Sequence, residues 1–340
     1  MALNDKRFDR QVRYHALGEA GQQRLQDSTV LIVGCGALGG VLAQSLVRSG
    51  VGQLRLVDRD VVELSNLPRQ VLFEDRHANE GTPKADAAAE TLARIGGPTR
   101  VEAHARHVDA EVLEELAQGV DLILDGTDNL DTRYLINDWC VEHQVPWVYG
   151  GVVGAGGLVL PVRPGHGPCL VCVFREPPPP GSLPTCDTAG VLQPAVGAIA
   201  SLQAGLGLRL LVDPEGLEPA LVELDVWGGE VRRIRAGRDE QCPCCGAGER
   251  RWLHAERSSQ TVSLCGRNTV QVRGRGEPID MPALAERLAG VGEKLQQVGP
   301  LLRFHLDDIR WTVFRDGRAL MEGTEDANRA RSLYDRYIGS

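Results

Sequence analysis

Thr29 to Gly39 reads T-V-L-I-V-G-C-G-A-L-G, and the rest of the chain is best read outward from it. Five strand-type residues, Thr29 to Val33, run into Gly34, Gly36 and Gly39, and a helix is expected over Leu38–Ser49. This is a G-x-G-x-x-G turn between a strand and a helix. The first glycine permits the tight turn, the second lets the backbone approach a ligand, and the third lets the helix pack on the sheet. The helix N-terminus presents unpaired N–H groups and a positive dipole end to an anion. Asp58 closes the next expected strand, Gln53–Asp58, roughly 20 residues on, where an acid can take a ribose. The pattern points to an adenine nucleotide and leaves open whether it is NAD for redox chemistry or ATP for activation.

Outward from this turn, strand and helix signals alternate. Strands are expected over Arg100–Ala105, Val120–Asp125 and Pro146–Tyr149, and helices over Lys84–Ile95, Ala110–Ala117 and Leu130–His143. Such alternation predicts an α/β fold built on a doubly wound, mainly parallel, Rossmann-like sheet. A short β-type run, Leu158–Val162, follows a glycine-rich break, and then Pro177–Pro180 bar helix and mark an exposed loop or crossover. Val191–Leu211 is apolar almost all round, which predicts a buried helix. Leu221–Val226 and Glu230–Ile234 read as antiparallel strands around Trp227-Gly228-Gly229. Composition turns polar near Glu249–Gln260. A small α+β C-terminal domain is therefore expected over 253–340, after a larger one over 1–252. Within it Thr269–Arg273, Leu301–Leu306, Trp311–Phe314 and Ala319–Glu322 are strand-like, and Met281–Leu288 and Asp326–Tyr337 helical.

Composition narrows the function classes. The 340 residues suit one large domain plus a smaller one, and 42% hydrophobic content is enough for a sizeable core. A net charge of -9 with no basic run argues against general nucleic-acid binding. The first residues, M-A-L-N-D-K-R-F-D-R, carry no apolar signal region, and no apolar stretch approaches 18 uninterrupted residues. A cytoplasmic protein without membrane attachment is expected. The nine cysteines are odd in number, and four sit in close-spaced pairs, which favours metal or catalysis over a disulfide framework.

Those pairs are Cys169-x-x-Cys172 and, far downstream, Cys242-x-x-Cys245. Four thiolates suffice for a tetrahedral, structural Zn²⁺ with no open position. The competing reading is buried cysteines without a metal, or a redox pair. Arg69, in S-N-L-P-R-Q (65–70), and Lys84, at the head of a helix, are cations that can meet a triphosphate, unless they are ordinary solvated charges. Asp128, in D-G-T-D-N (125–129), follows a buried strand at the carboxyl end, where α/β sheets place ligands. It is a candidate Mg²⁺ ligand, and it could also cap the following helix. Cys186 lies beyond the prolines and is a candidate nucleophile or a bystander. Cys35 and Cys140 read as core residues.

Taken together, R-F-D-R-Q, G-C-G-A-L-G, L-V-D-R-D, S-N-L-P-R-Q, T-P-K, D-G-T-D-N, both C-x-x-C pairs and T-C-D-T-A-G resemble the ThiF/MoeB/HesA family, bacterial relatives of ubiquitin-activating enzymes. The likeness spans roughly Arg7 to Trp252. It implies ATP-dependent adenylation of the C-terminal glycine of a small β-grasp sulfur-carrier protein ending in Gly-Gly. Mg²⁺ is required and pyrophosphate leaves. Residue by residue, it implies that Gly34, Gly36, Ala37 and Gly39 cradle the nucleotide and Asp58 takes the ribose. Asn66, Arg69 and Lys84 handle phosphates, and Asp128 with Asn129 serves the metal–phosphate end. Arg10 resembles an arginine that crosses from a partner subunit, implying a homodimer. Cys186 matches a loop cysteine that some members use for thioester or acyl-persulfide chemistry. D-G-T-D-N-L-D-T-R-Y-L-I-N-D and W-V-Y-G-G-V-V-G are closer in wording to the thiamine thiazole branch than to the molybdopterin branch. The tail does not resemble a rhodanese domain, so a separate sulfur donor is expected. An NAD-dependent oxidoreductase would leave Arg69, Lys84 and the cysteine pairs unexplained. A non-catalytic scaffold for a β-grasp partner would not need Arg69, Lys84 and Asp128.

Overall fold

The computed structural model describes residues 6–179, 186–255, 261–264, 268–272, 274, 279–298 and 301–338, with the backbone alone for 186–187 and 261–264. In chain order the first part comprises α1 (Asp9–Val12), α2 (Gly18–Asp27), β1 (Thr29–Val33), α3 (Ala37–Ser49), β2 (Gln53–Val57), α4 (Asp75–Glu80), α5 (Lys84–Ile95), β3 (Arg100–His104), α6 (Ala110–Leu116), β4 (Leu122–Asp125) and α7 (Leu130–His143). It continues with β5 (Trp147–Val153), β6 (Gly156–Val162), α8 (Leu170–Val173), α9 (Cys186–Ala189), α10 (Gln193–Val212), β7 (Ala220–Asp225) and β8 (Glu230–Arg235). The last part holds β9 (Thr261–Leu264), β10 (Thr269–Val272), α11 (Met281–Leu288), β11 (Glu293–Val298), β12 (Leu301–Leu306), β13 (Ile309–Phe314), β14 (Ala319–Glu322) and α12 (Ala327–Tyr337).

Strand β1 pairs in parallel with β2 on one side and β4 on the other. It is the third strand of an eight-stranded sheet ordered β3-β2-β1-β4-β5-β6-β7-β8. The first five strands are parallel and the last three antiparallel. Because the chain leaves β1 toward β2 and later returns beside it as β4, the strand order reverses at β1/β4. Ligands of open α/β sheets bind in the crevice outside the carboxyl ends at such a point.

Alternation along β1 feeds two cores. Val30 and Ile32 pack with Leu38, Leu42 and Leu46 of α3, with Ala85, Ala88 and Leu92 of α5, and with Val196, Ile199 and Ala200 of α10. Leu31 and Val33 face Val112 and Leu113 of α6 and Tyr134, Ile136 and Trp139 of α7. Each fully buried leucine is worth about 1.5–3 kcal/mol relative to exposure. Helix α3 stops at Gly50, in the left-handed region at φ 78°, where a side chain would also strike the ring of Phe8. Helix α10 is the one described helix long and apolar enough to cross a membrane by length and composition. It packs on the sheet beside β4, β5 and β6.

The chain divides into two compact units, 1–177 with 189–254 and 178–188 with 255–340. The second carries a six-stranded sheet ordered β11-β12-β13-β14-β10-β9, antiparallel throughout. Its core is Val270, Val272, Phe304, Trp311, Val313 and Met321 against Leu284 and Leu288 of α11 and Tyr334 of α12. Strand β10 ends at Val272; Arg273, expected to extend it, lies outside the described residues.

Candidate functional site

Glycine requirements at the turn are of two kinds. Gly34 has φ +91°, and a Cβ there would lie 2.7 Å from the carbonyl of Gly126. A Cβ on Gly39 would sit 1.9 Å from the Gly34 oxygen, and one on Gly126 would sit 2.4 Å from that same atom. These three glycines interlock the phosphate turn with the Asp125–Asn129 loop. Gly36 differs: a Cβ there meets only the Gln70 Nε2, at 3.7 Å. Nothing within the described chain demands a glycine at 36, so the open space beside it suits a ligand. Gly36 caps α3 without a side-chain hydrogen bond, leaving the helix N-terminus beginning at Ala37 directed at that space.

Around this turn Asp58 and Lys84 come together. Asp58 Oδ2 accepts the Cys35 N–H at 2.7 Å, and its Oδ1 accepts that of Asp60 at 2.8 Å. Burial pushes the Asp58 carboxyl upward, against the pull of Lys84. Lys84, only 7% exposed, places Nζ 3.2 Å from Asp60 Oδ2. Burial alone would lower its pKa; Asp60, Asp58 and Asp128 together outweigh that and hold it raised. Lys84 is thus a buried cation paired with Asp60 and within electrostatic reach of Asp58, also after β2, and of Asp128, after β4. The Cys35 thiol is driven well up by burial and the nearby Asp58, in keeping with a core residue, as is the buried Cys140.

Asn66 is buried and its Oδ1 accepts the Glu63 N–H at 3.0 Å, so any contact it makes with phosphate falls to Nδ2. Arg69 is half-buried and donates to the Ser65 carbonyl at 2.8 Å. Beside them, Gln70 is 5% exposed and its Oε1 has no hydrogen-bond partner in the described structure. Gln70 ends the S-N-L-P-R-Q run, and its approach to Gly36 is made only in the folded chain.

Asp128 is exposed at the crevice. The helix cap that it might have supplied belongs to Asn129, whose Oδ1 accepts the Thr132 N–H at 3.2 Å. The loop is locked from below. Asp125 Oδ1 accepts the Thr127 N–H at 2.9 Å, and Thr127 Oγ1 accepts that of Asn129 at 2.9 Å. Arg133 Nε meets Asp125 Oδ2 at 3.0 Å, and its NH2 group donates to the carbonyls of Thr127 and Gly150. Arg133 thereby ties this loop to the Gly150 backbone of β5, a partner that only the folded chain brings near.

Arg10 is not brought to this crevice. It is exposed on α1, whose neighbouring Gln11 donates to the Ser49 carbonyl at 2.8 Å. Ser49 ends the 13-residue α3, about 20 Å from its phosphate-facing end, further than one arginine side chain spans. Cys186 opens α9, but its side chain, and residues 180–185 before it, lie outside the described residues.

The four paired cysteines do converge. The sulfurs of Cys169, Cys172, Cys242 and Cys245 all lie within 4.8 Å of one another. Three of the separations are 3.8, 3.6 and 3.4 Å. Sulfurs on a tetrahedron with Zn–S bonds of about 2.3 Å stand about 3.8 Å apart, so the spacing and the all-thiol donor set fit a closed Zn²⁺ site. Thiols so crowded hold their protons: Cys169 is raised by its hydrogen bond with Cys244 and by burial, and Cys245 by burial and its sulfur neighbours. A cation in their midst would replace those protons.

The chain is similar to known proteins over most of its length. The chain is 39% identical over 336 residues to the sulfur carrier protein ThiS adenylyltransferase of Bacillus subtilis, covering 98% of this chain and 99% of that one. It is 37% identical over 246 residues to a sulfur carrier protein adenylyltransferase of Thermus thermophilus, covering 71% and 90%. Among solved structures, E. coli MccB with ATP superposes with a TM-score of 0.61 at 22% identity, over 72% of this chain and 75% of that one, a likeness of fold. The ThiF family profile matches residues 8–244, and with a relative 39% identical along nearly the whole length, the chain belongs to the ThiF family.

Proposed function

We propose that this chain is an adenylyltransferase that uses ATP to activate the C-terminal glycine of a small β-grasp sulfur-carrier protein. The observation that carries the reading is the crevice itself. One buried lysine pairs with Asp60 and lies within the electrostatic reach of Asp58 and Asp128 at the β1/β4 switch point, near a glycine beside which a Cβ would meet only the Gln70 side chain. The names of relatives similar over most of the chain support the same reaction, and the ThiS enzyme of Bacillus subtilis supports the thiamine thiazole branch.

In this reading the carrier's terminal carboxylate attacks the α-phosphorus of ATP. The bond from that phosphorus to the bridging oxygen breaks, and pyrophosphate leaves. Little covalent help is required; the chain positions and neutralises. The N-terminus of α3, from Ala37 to Gly39, takes phosphate oxygens, and Asp58 takes the ribose. Lys84, Arg69 and Nδ2 of Asn66 face the charge that develops on the leaving group. Asp128 would hold Mg²⁺, which when bound supplies further positive charge to the phosphates. The four thiolates would hold Zn²⁺ as a structural tie between two distant segments. Arg10 would serve a neighbour's crevice, making the working unit a homodimer, since its own crevice lies a helix length away. Cys186 is read as a residue acting after adenylation: its sulfur would bond to the carrier's acyl carbon as AMP leaves, and a separate donor would supply the sulfur that later displaces it. Residues 1–252 carry the chemistry and 253–340 form an appended domain. A cytoplasmic setting fits these roles.

Incubating the chain with ATP, Mg²⁺ and a carrier of this class should yield carrier plus one AMP by intact mass. A carrier without its terminal glycine should remain unmodified. Absence of the adduct together with turnover of a nicotinamide cofactor would favour the oxidoreductase reading.

A further inference from the structure

Helix α7 carries three polar residues at four-residue spacing, Asn129, Arg133 and Asn137, which places them on one face. The first two lock the Asp128 loop. The third, fully buried, hydrogen-bonds to the chain segments that carry both cysteine pairs. Its Oδ1 accepts the Leu170 N–H at 2.8 Å, within the first cysteine pair. Its Nδ2 donates to Cys244 Sγ at 3.3 Å, within the second. Cys244 is buried between the second pair's ligand candidates, and its thiol faces Asp138 Oδ1 at 3.4 Å. Asp138 Oδ2 in turn accepts the backbone N–H of Trp252 at 2.8 Å. The Cys244 sulfur is thus engaged by Asn137 and Asp138 and stands outside the four that converge. Asn129 and Asn137 lie about 12 Å apart along the axis, so one rigid element spans from the phosphate loop to the cysteines.

We propose that Asn137 is a positioning residue which binds the thiolate cluster to the Asp128 loop through this face of α7, so that the metal held by the cluster keeps that loop in register. Outer partners of metal ligands orient them, and their loss weakens metal retention about 10- to 100-fold. The activity arm of the test rests on the adenylation reading; the metal arm does not.

The test uses the full-length chain loaded with Co²⁺, whose absorption bands report the number of sulfur ligands. Release to a chromophoric chelator and ATP–pyrophosphate exchange are followed together. Asn137→Ala should keep the four-sulfur spectrum but release metal about tenfold faster or more, and exchange should decline at the same rate as release. Should Asn137→Ala fail to fold, Cys244→Ala serves, since it removes the partner of Asn137 and leaves the four ligands. It too should release metal faster with an unchanged spectrum. Release at the wild-type rate, or a spectrum altered by Cys244→Ala, overturns the clamp. Exchange that persists in folded, metal-stripped wild type overturns the link to Asp128. If metal-loaded wild type shows no exchange at all, the adenylation reading fails, and the release rates alone judge Asn137.

Discussion

Asp125 and Asp128 stand three residues apart and meet opposite surroundings. Asp128 opens on the crevice, whereas Asp125 is fully buried against Arg133. Burial lifts the Asp125 carboxyl to about 6, with Arg133 and the N–H groups of Thr127 and Gly150 pulling the other way. The folded chain therefore keeps this proton at pH values where the unfolded chain, near 3.8, has lost it. Folded protein binds more protons in that window, so this group's contribution to stability falls as pH rises from about 4 to about 6. Urea unfolding from pH 4 to 7 should show the wild type losing ground to Asp125→Asn as pH rises; parallel curves would contradict this. At neutral pH, Arg133→Ala leaves a buried carboxylate without its partner and should cost about 3–5 kcal/mol. A urea-derived loss below about 1 kcal/mol would show that the pair does not hold the loop.

At the scale of elements, the turn between β1 and α3 separates packing from ligand binding. Gly39→Ala drives a methyl into the Gly34 carbonyl, and its melting temperature should fall by several degrees or the chain should fail to fold. Gly36→Ala meets nothing closer than 3.7 Å, so its melting temperature should match wild type while ATP affinity drops tenfold or more. Equal ATP affinity in the two folded proteins would remove Gly36 from the site. This turn, α5, α7 and β12 were legible because each carries its whole signal in one continuous run. Strand β11, E-K-L-Q-Q-V, was not, since an edge strand that is half exposed shows little apolar alternation. Helix α2, G-E-A-G-Q-Q-R-L-Q-D, is too polar and glycine-containing to announce itself. The site divides in the same way. Glycines, Asp58, Lys84 and the cysteine pairs stand in recognisable local patterns. Gln70, Arg133 and Asn137 depend on Gly36, Gly150 and Leu170, partners that only the folded chain brings near.

For the whole molecule, the position of Arg10 bears on assembly. It lies beside the far end of α3 from its own phosphate turn, and the homodimer proposed above would put it in a second copy's crevice. Inactive Arg10→Ala and inactive Asp128→Ala chains, mixed under conditions that exchange subunits, should regain activity, because one hybrid crevice carries both intact residues. No recovery in verified mixed dimers would return Arg10 to a purely local role. The central claim is adenylation of a carrier terminus at the β1/β4 crevice, and the measurement closest to it is carrier-dependent ATP–pyrophosphate exchange. Wild type with a Gly-Gly-ended carrier should exchange label. The same enzyme with a carrier lacking the last glycine, and folded Asp128→Ala with the intact carrier, should fall by at least about a hundredfold, roughly 2.7 kcal/mol of lost transition-state stabilisation. Near-normal exchange by Asp128→Ala, or none by wild type with any such carrier, would contradict the account.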